Sequence, residues 1–158
     1  MTKILMVCMG NICRSPMAQI VTLHLARQAG LREIEVESAG THAVRGREPP
    51  DPRAKTVLSA RGYTAGKTRS RQITDQDFIR YDLILAMDQA NLNDLRRLCP
   101  NEQTHKLRLF MEFAVGHAAR DVPDPYYGGV QGFEHVLDLC EAGARGLLAN
   151  HQTEPRQG

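Results

Sequence analysis

The chain has 158 residues, the length of one domain that buries a full hydrophobic core. With 42% hydrophobic residues, 24% charged residues and a net charge of +2, its composition is that of a globular protein and gives no reason to expect a nucleic acid or a membrane as partner. No stretch approaches the ~18 apolar residues that cross a membrane. The N-terminal apolar run breaks at Gly and Asn, too early for a signal peptide, so we expect a cytoplasmic protein.

The four cysteines are Cys8, Cys13, Cys99 and Cys140. In a cytoplasmic chain we expect them to be free rather than paired in disulfides. Cys8 and Cys13 also lack a second pair of Cys or His at the spacing of a structural zinc site. We therefore predict neither a bound metal nor a cofactor.

The first half of the chain predicts two strands, each followed by a helix. KILMVC is a short apolar run typical of a strand buried in a parallel sheet. Ser15 is a suitable N-cap and Pro16 a suitable first helical residue, so we expect a helix to start there. An alternating strand, a long Gly/Pro-rich loop and a helix opened by Asp51 and Pro52 follow. These predicted elements span 3–8, 15–29, 33–38 and 51–60.

The second half continues the alternation. Thr74 caps a short predicted helix with Asp77 at its third position. YDLILAM is another buried strand, and Pro100 ends the helix that follows it. KLRLFMEF contains a fourth strand, and a loop and a last helix precede a tail that we expect to be frayed. The predicted elements span 73–80, 81–87, 88–98, 106–113 and 131–149, and the tail spans 151–158.

Strands that alternate with helices predict one α/β domain over residues 1–150, with a parallel sheet covered by helices on both faces. Ligands of such folds bind beyond the carboxyl ends of the strands, near a change in strand order. Cys8 ends the first predicted strand. We therefore expect the functional site to lie around Cys8.

The segment from Cys8 to Ser15 combines several features of an anion site. Gly10 and Asn11 tolerate the left-handed backbone conformation, which can turn successive N–H groups toward one anion. The following helix adds the positive end of its dipole, and Arg14 adds a guanidinium fork that fits two phosphate oxygens. The predicted phosphate-binding residues are Met9, Gly10, Asn11, Ile12, Cys13, Arg14 and Ser15.

A phosphate held in this loop would lie over the sulfur of Cys8. The loop N–H groups, the helix terminus and the arginine should favour the thiolate form of that cysteine. We predict in-line attack of the thiolate on phosphorus, which gives a cysteinyl-phosphate that water hydrolyses. Asp124, held between two prolines, is the candidate acid for the leaving oxygen and the candidate base for the water. Tyr126 and Tyr127 could form an aromatic wall beside it.

Ordinary structural interpretations stay open for these residues. A cysteine at the end of a buried strand is by default a small hydrophobic side chain, and Pro-Asp-Pro is a common turn composition. The CxxxxxR spacing between a strand and a Ser-Pro helix start favours the catalytic interpretation. A Walker-type phosphate loop is excluded, because GxxxxGK[ST] does not occur. The basic stretch GKTRSRQ could line an anionic site or form a solvated loop.

The segments VCMGNICRSPMA and DVPDPYYG together resemble the low-molecular-weight protein-tyrosine phosphatases of bacterial type. The resemblance extends over nearly the whole chain, through ESAGT, PPDPRA, SRQIT, DLILAMDQANL and the last helix. It implies a flavodoxin-like three-layer α/β fold with a four-stranded parallel sheet, and metal-independent hydrolysis of phosphotyrosine in proteins. It gives Cys8 the role of nucleophile, Arg14 that of phosphate clamp and Asp124 that of general acid and base.

The resemblance also implies supporting roles. Asn11 and Ser38 would belong to the hydrogen-bond network that holds the loop and supports the thiolate, and Ser15 would assist near the sulfur. Cys13 would be a redox partner, able to form a reversible disulfide with Cys8 that shields the nucleophile from over-oxidation.

Two positions depart from the family pattern. Val44 stands where the family often carries an aromatic residue in the wall of the substrate cleft, so we expect a lower, aliphatic wall. Thr68 stands where some members carry a histidine that supports the site. The predicted walls of the cleft are Ile12, Val44, Tyr126 and Tyr127.

Three other functions compete with this one. The resemblance implies that arsenate reductases of the same fold need a further cysteine pair after the third strand, whereas this chain has none there and Cys99 comes later and alone. Protein-arginine phosphatases have threonine where this chain has Ile12. A non-catalytic phosphate-binding module would have lost the nucleophile or the acid, whereas this chain has both.

The resemblance to bacterial members implies a phosphotyrosine protein as partner, such as the tyrosine-rich tail of a kinase that controls exopolysaccharide export. Secretion into a host is an alternative. We expect a monomer or a weak dimer that binds neither nucleic acid nor membrane.

Overall fold

A computed structural model of the chain describes residues 1–43, 45–126 and 128–153, with the backbone alone described at 152 and 153. At its centre lie four parallel strands: β1 (Thr2–Cys8), β2 (Ile34–Gly40), β3 (Leu83–Ala86) and β4 (Leu107–Leu109). Their order in the sheet is β2-β1-β3-β4, so the strand order changes direction between β1 and β3. Folds of this kind bind ligands at the carboxyl ends of the strands beside such a switch.

Helices cover both faces of the sheet. One layer contains the first, second and last helix, and the other contains the two helices that flank β3. No helix within the described residues is both long enough and apolar enough to cross a membrane. The helices are α1 (Arg14–Gln28), α2 (Pro52–Ala60), α3 (Asp75–Arg80), α4 (Gln89–Leu98) and α5 (Val130–Thr153), with 3₁₀ helices over Asn101–Lys106 and Phe110–Phe113.

The side chains of β1 show why both faces are covered. Ile4, Met6 and Cys8 lie in the core cluster under α1, α2 and α5, whereas Leu5 and Val7 lie in the cluster under α3 and α4. Successive side chains of a strand point to opposite faces, so a central strand needs an uninterrupted apolar run. The predicted flavodoxin-like three-layer fold is confirmed.

The first helix starts two positions earlier than predicted, with Cys13 rather than Ser15 as its N-cap residue. α1 begins at Arg14, so Ser15 lies in the first turn instead of capping the helix. The reason is that the Ser15 hydroxyl bonds to Cys8 and to Asn11 rather than to a helix N–H. Pro16 is tolerated in this turn, because the first N–H groups of a helix have no partner inside it.

The short helix α3 is capped as predicted. The N–H of Thr74 donates to the carboxylate of Asp77 at 2.8 Å, which is one half of a capping box. At its other end, the N–H of Tyr81 still bonds to the carbonyl of Asp77. β3 therefore begins only at Leu83, later than the predicted strand.

The last helix is longer than predicted. α5 continues to Thr153, so the first residues of the predicted frayed tail are helical. The sequence over 147–153 contains neither Gly nor Pro to stop the helix, and the ring of His151 lies 3.7 Å from the carboxylate of Glu33. Residues 154–158 of that tail lie outside the described residues.

Candidate active site

The sulfur of Cys8 lies at the carboxyl end of β1 among hydrogen-bond donors, and the residue is only 2% exposed. The backbone N–H of Asn11 donates to Sγ at 3.2 Å, and Oγ of Ser15 lies 3.0 Å from Sγ. The side-chain amide of Asn11 donates to Oγ of Ser15 at 2.7 Å, which leaves the hydroxyl proton of Ser15 available for the sulfur. Hydrogen bonds of this kind stabilise a thiolate.

The turn of the loop depends on Asn11 and on Gly40 at the end of β2. Asn11 adopts the left-handed conformation, with φ of 58°, and its Oδ1 accepts the N–H of Arg71 at 3.0 Å. A Cβ at position 40 would lie 2.6 Å from the carbonyl oxygen of Met9, so only glycine lets the loop approach β2 this closely. Gly10 is not among the described residues with positive φ, so Asn11 alone supplies the left-handed turn predicted for the pair.

The guanidinium of Arg14 is buried at the first turn of α1, with 4% of its side chain exposed. Its Nη1 donates to Oδ2 of Asp88 at 2.5 Å and to the carbonyl of Val122 at 3.1 Å. Burial disfavours the charge of Arg14, but Cys8, Asp88 and Asp124 outweigh that effect and raise its pKa above the ordinary value. The arginine is therefore a fixed cation beside the sulfur.

Asp88 is a site residue that the sequence interpretation missed. Its Oδ1 accepts the N–H of Asn91 at 2.7 Å and so caps α4, while its Oδ2 accepts from Arg14. The sequence signal was its place at the carboxyl end of β3, which pairs with β1. That signal was masked because an aspartate before a helix is explained by capping alone.

Asp124 lies on the loop before α5, and 39% of its side chain is exposed. Its Oδ1 accepts the N–H of Tyr126 at 3.0 Å, and its Oδ2 lies 3.8 Å from Nη2 of Arg14. The start of this loop is fixed by the N–H of Val122, which donates to the carbonyl of Met87 at 2.7 Å. The structure thus brings together the cysteine, the arginine and the aspartate that the sequence singled out.

The hydroxyls of Ser38 and Thr68 both bond to partners outside the Cys8 loop. Ser38 faces α1 from β2 and donates to Oε1 of Gln19 at 2.6 Å, which corrects the expectation that it bonds within the loop network. The sulfur is instead contacted by the backbone N–H of Asn11 in the loop and by the hydroxyl of Ser15 on α1. Thr68 donates to the carbonyl of Ala65 at 3.1 Å, so its hydroxyl is bonded within its own loop.

Cys13 is buried directly before α1 and is free, as is Cys8. Burial, followed by the charges of Asp51, Cys8 and Asp124, raises the pKa of Cys13 to about 12, against an opposing effect of Arg53. Cys13 is therefore a protonated thiol at neutral pH. Its disulfide with Cys8 stays a prediction.

The predicted cleft walls are only partly described. Tyr126 is 44% exposed, and Ile12 is partly buried, with its carbonyl accepting the N–H of Asp51 at 2.8 Å. Val44 and Tyr127 lie outside the described residues, so their predicted roles stay predictions.

The donor set of the loop suits an oxyanion. The first turn of α1, which carries Ser15 and the buried guanidinium of Arg14, meets the N–H of Asn11 at the sulfur of Cys8, an arrangement that suits an anion. Among the residues that the structure describes, no group of three or more His, Cys, Asp or Glu is arranged to hold a metal ion.

Comparison with known sequences identifies close relatives over nearly the whole chain. A family model described as low molecular weight phosphotyrosine protein phosphatase matches residues 3–157. A Streptomyces coelicolor protein named low molecular weight protein-tyrosine-phosphatase is 44% identical over 151 residues, which cover 93% of this chain and 92% of that protein.

Comparison with solved structures identifies phosphatases as well. A protein tyrosine phosphatase from Entamoeba histolytica, crystallised with Hepes in its active site, matches with a TM-score of 0.93 and 35% identity, covering 96% of this chain and 97% of that one. The arginine phosphatase YwlE of Bacillus subtilis matches with a TM-score of 0.88 and 26% identity, covering 98% and 99% of the two chains.

Proposed function

Because this chain belongs to the low molecular weight phosphotyrosine protein phosphatase family, whose members are hydrolases, we propose that it hydrolyses phosphotyrosine in proteins through a cysteinyl-phosphate. The observation that carries the proposal is the environment of Cys8. The hydroxyl of Ser15 lies 3.0 Å from its sulfur, and the N–H of Asn11 donates to that sulfur at 3.2 Å. Arg14 and Asp124 lie at the same carboxyl edge of the sheet, with Nη2 of the arginine 3.8 Å from Oδ2 of the aspartate.

In the first step the Cys8 thiolate attacks the phosphorus of the bound phosphotyrosine. The S–P bond forms while the P–O bond to the tyrosine breaks, and protonated Asp124 gives its proton to the tyrosine oxygen. The guanidinium of Arg14 and the N–H groups of the loop hold the phosphoryl oxygens and stabilise their developing charge. Asp88 keeps that guanidinium in place through the hydrogen bond at 2.5 Å.

In the second step water attacks the phosphorus of the cysteinyl-phosphate. The Asp124 carboxylate accepts a proton from the water, the P–S bond breaks, and inorganic phosphate and the Cys8 thiolate are released. The hydroxyl of Ser15 and the N–H of Asn11 stabilise the thiolate as it leaves. The same donors therefore serve the nucleophile in one step and the leaving group in the other.

Phosphoarginine is the second candidate substrate, supported by the structural likeness to YwlE. Against it stands Ile12, since the resemblance to arginine phosphatases implies a threonine at that position. Arsenate reduction is less well supported. The segment after β3 carries no cysteine pair, and the thiol of Cys99 donates to its neighbour, the carbonyl of Pro100, at 3.3 Å.

The proposal is tested by metal-free hydrolysis of phosphotyrosine, phosphoserine and phosphoarginine peptides, with the wild type and Cys8→Ser side by side. We expect turnover of phosphotyrosine in strong preference, and no turnover by Cys8→Ser. Preference for phosphoarginine would move the assignment to an arginine phosphatase. Turnover retained by Cys8→Ser would remove Cys8 as the nucleophile.

The physiological substrate that we propose is a phosphotyrosine segment of a bacterial tyrosine kinase, acted on in the cytoplasm by a monomer or weak dimer. The support is the bacterial type of the sequence motifs and, for the compartment, the four unpaired cysteines. Time courses with a phosphorylated kinase tail and with an unrelated phosphotyrosine peptide would test this choice, since a true substrate should be used with the higher kcat/KM.

A further inference from the structure

We propose that Arg53 is a positioning residue, which holds the loop of the general acid at the distance from the Cys8 loop that proton transfer requires. The inference rests on the function proposed above. The acid loop is defined here as Asp124, Pro125, Tyr126 and Gly128.

The guanidinium of Arg53 reaches this loop from α2. Its Nη2 donates to the carbonyl of Tyr126 at 2.9 Å, and its Nη1 donates to the carbonyl of Gly128 at 3.0 Å. Its Cζ also lies 5.7 Å from the ring centre of Tyr126 and 4.7 Å from that of Phe133 on α5. One side chain thus holds the acid loop at two carbonyls and stacks where the loop enters α5.

The other side of the same guanidinium is anchored to Asp51, the N-cap of α2. Nε donates to Oδ1 and Nη2 to Oδ2 of Asp51, each at 3.0 Å. The backbone N–H of Asp51 in turn donates to the carbonyl of Ile12 at 2.8 Å. Asp51 and Arg53 therefore form a continuous bridge from the Cys8 loop to the acid loop.

This bridge acts on the carboxylate of Asp124 through Tyr126. Oδ1 of Asp124 accepts the N–H of Tyr126, and the carbonyl of the same residue is held by Arg53. The residue that orients the carboxylate is thus fixed from α2. Lysine could not replace the arginine, because a single ammonium cannot reach Asp51 and two carbonyls in the directions of the guanidinium fork.

The test measures kcat/KM for aryl phosphates whose leaving groups range from dinitrophenol to unsubstituted phenol, with the wild type, Arg53→Ala, Arg53→Lys and Asp124→Ala. In Arg53→Ala and Arg53→Lys we expect kcat/KM to fall about tenfold with phenol, the poorest leaving group, and under about twofold with dinitrophenol. The reason is that a misplaced acid matters only when the leaving oxygen needs its proton. Arg53→Ala in the Asp124→Ala background should cause no further loss. Inhibition by inorganic phosphate should stay unchanged.

Arg108→Ala is the matched control. Arg108 also binds a carboxylate, that of Glu112 at 3.0 Å, and also lies over an aromatic ring, that of Phe113 at 4.5 Å, but it lies on β4. It should leave the leaving-group dependence at the wild-type value.

Three outcomes would overturn the role of Arg53. The first is an equal loss of kcat/KM with every leaving group. The second is a full further loss of kcat/KM when Arg53→Ala is added to Asp124→Ala, and the third is wild-type kinetics in both Arg53 variants. A wild type without Cys8-dependent activity on any aryl phosphate would overturn the proposed function itself and this inference with it.

Discussion

Ser15 contacts the sulfur of Cys8 through its hydroxyl, and Asn11 sets the direction of that contact. Because the amide of Asn11 donates to Oγ of Ser15, the serine proton is directed at the sulfur or at the more distant carbonyl of Ala39, at 3.5 Å. A donor that is fixed before the reaction needs no rearrangement when charge develops on the sulfur. Ser15 should therefore matter most when the thiolate leaves the phosphorus.

Ser15→Ala should lower kcat while the fold is kept. A hydrogen bond to a charged group is worth on the order of 1.5–3 kcal/mol, so the expected loss is about tenfold to a hundredfold. Steady-state hydrolysis of an aryl phosphate measures it, with Ser59→Ala, an exposed serine on α2, as control. Equal kcat in Ser15→Ala and the wild type would show that the hydroxyl does not act on the sulfur.

At the scale of elements, the site lies where the strands β1 and β3 end and the helix α1 begins. Cys8 is the last residue of β1, and Arg14 lies in the first turn of α1. Asp88 lies between β3 and α4 and is the N-cap of α4. Parallel strands bring these ends to one edge of the sheet. Asp88 thus has two functions, since one oxygen caps α4 and the other holds Arg14.

Asp88→Asn and Asp88→Ala separate these two functions. Both remove the carboxylate that holds Arg14, so both should lower kcat/KM by about tenfold. Asparagine still caps a helix, whereas alanine does not, so Asp88→Ala should be less stable than Asp88→Asn by ~1 kcal/mol. Urea unfolding and steady-state kinetics on the same samples give both numbers. Full activity in Asp88→Asn would mean that Arg14 is positioned without this ion pair.

The features that could be predicted from the sequence are those that residues close together in the chain determine. The apolar runs predicted the strands, and Cys8, Arg14 and Asp124 were recognisable from their local motifs. Asp88 and Arg53 were missed because their partners are distant in the chain: 74 residues separate Arg14 from Asp88, and 73 separate Arg53 from Tyr126. Only the folded sheet and the packing of α2 against α5 bring such partners together.

Side-chain direction was the other quantity that the sequence did not determine. The local pattern of Ser15 is that of an N-cap, and only the family resemblance placed its hydroxyl near the sulfur of Cys8, which it contacts. The family resemblance placed Ser38 in the network that holds the loop, yet its hydroxyl donates to Gln19 on α1. In both cases a competing hydrogen-bond partner, supplied by the tertiary structure, decided the outcome.

At the scale of the whole molecule, burial of Cys13 couples stability to pH. The unfolded chain releases this thiol proton near pH 9, whereas the folded chain keeps it up to about pH 12. A folded-state pKa above the unfolded one means that the contribution to stability is complete below pH 9 and is lost as the pH rises from there to about 12.

The free energy of unfolding should therefore fall from pH 9 upward, and Cys13→Ser should make the fall shallower. Urea unfolding of both proteins at pH 7, 9 and 10.5 measures the difference. Cys13→Ser keeps every other titratable group, so the difference in the free energy of unfolding between the wild type and the variant reports on the Cys13 thiol. A difference that stays constant with pH would contradict the raised pKa of this thiol.

The central claim is that Cys8 carries the phosphoryl group during turnover, and the most direct measurement is capture of that intermediate. Asp124→Ala is mixed with dinitrophenyl phosphate, which needs no acid for its leaving group, and quenched within milliseconds for peptide mass spectrometry. We expect one phosphoryl group on the peptide that contains Cys8, and none in the Cys8→Ser/Asp124→Ala protein. Release of dinitrophenol without a phosphoryl group on Cys8, or with the group on another residue, would contradict the account.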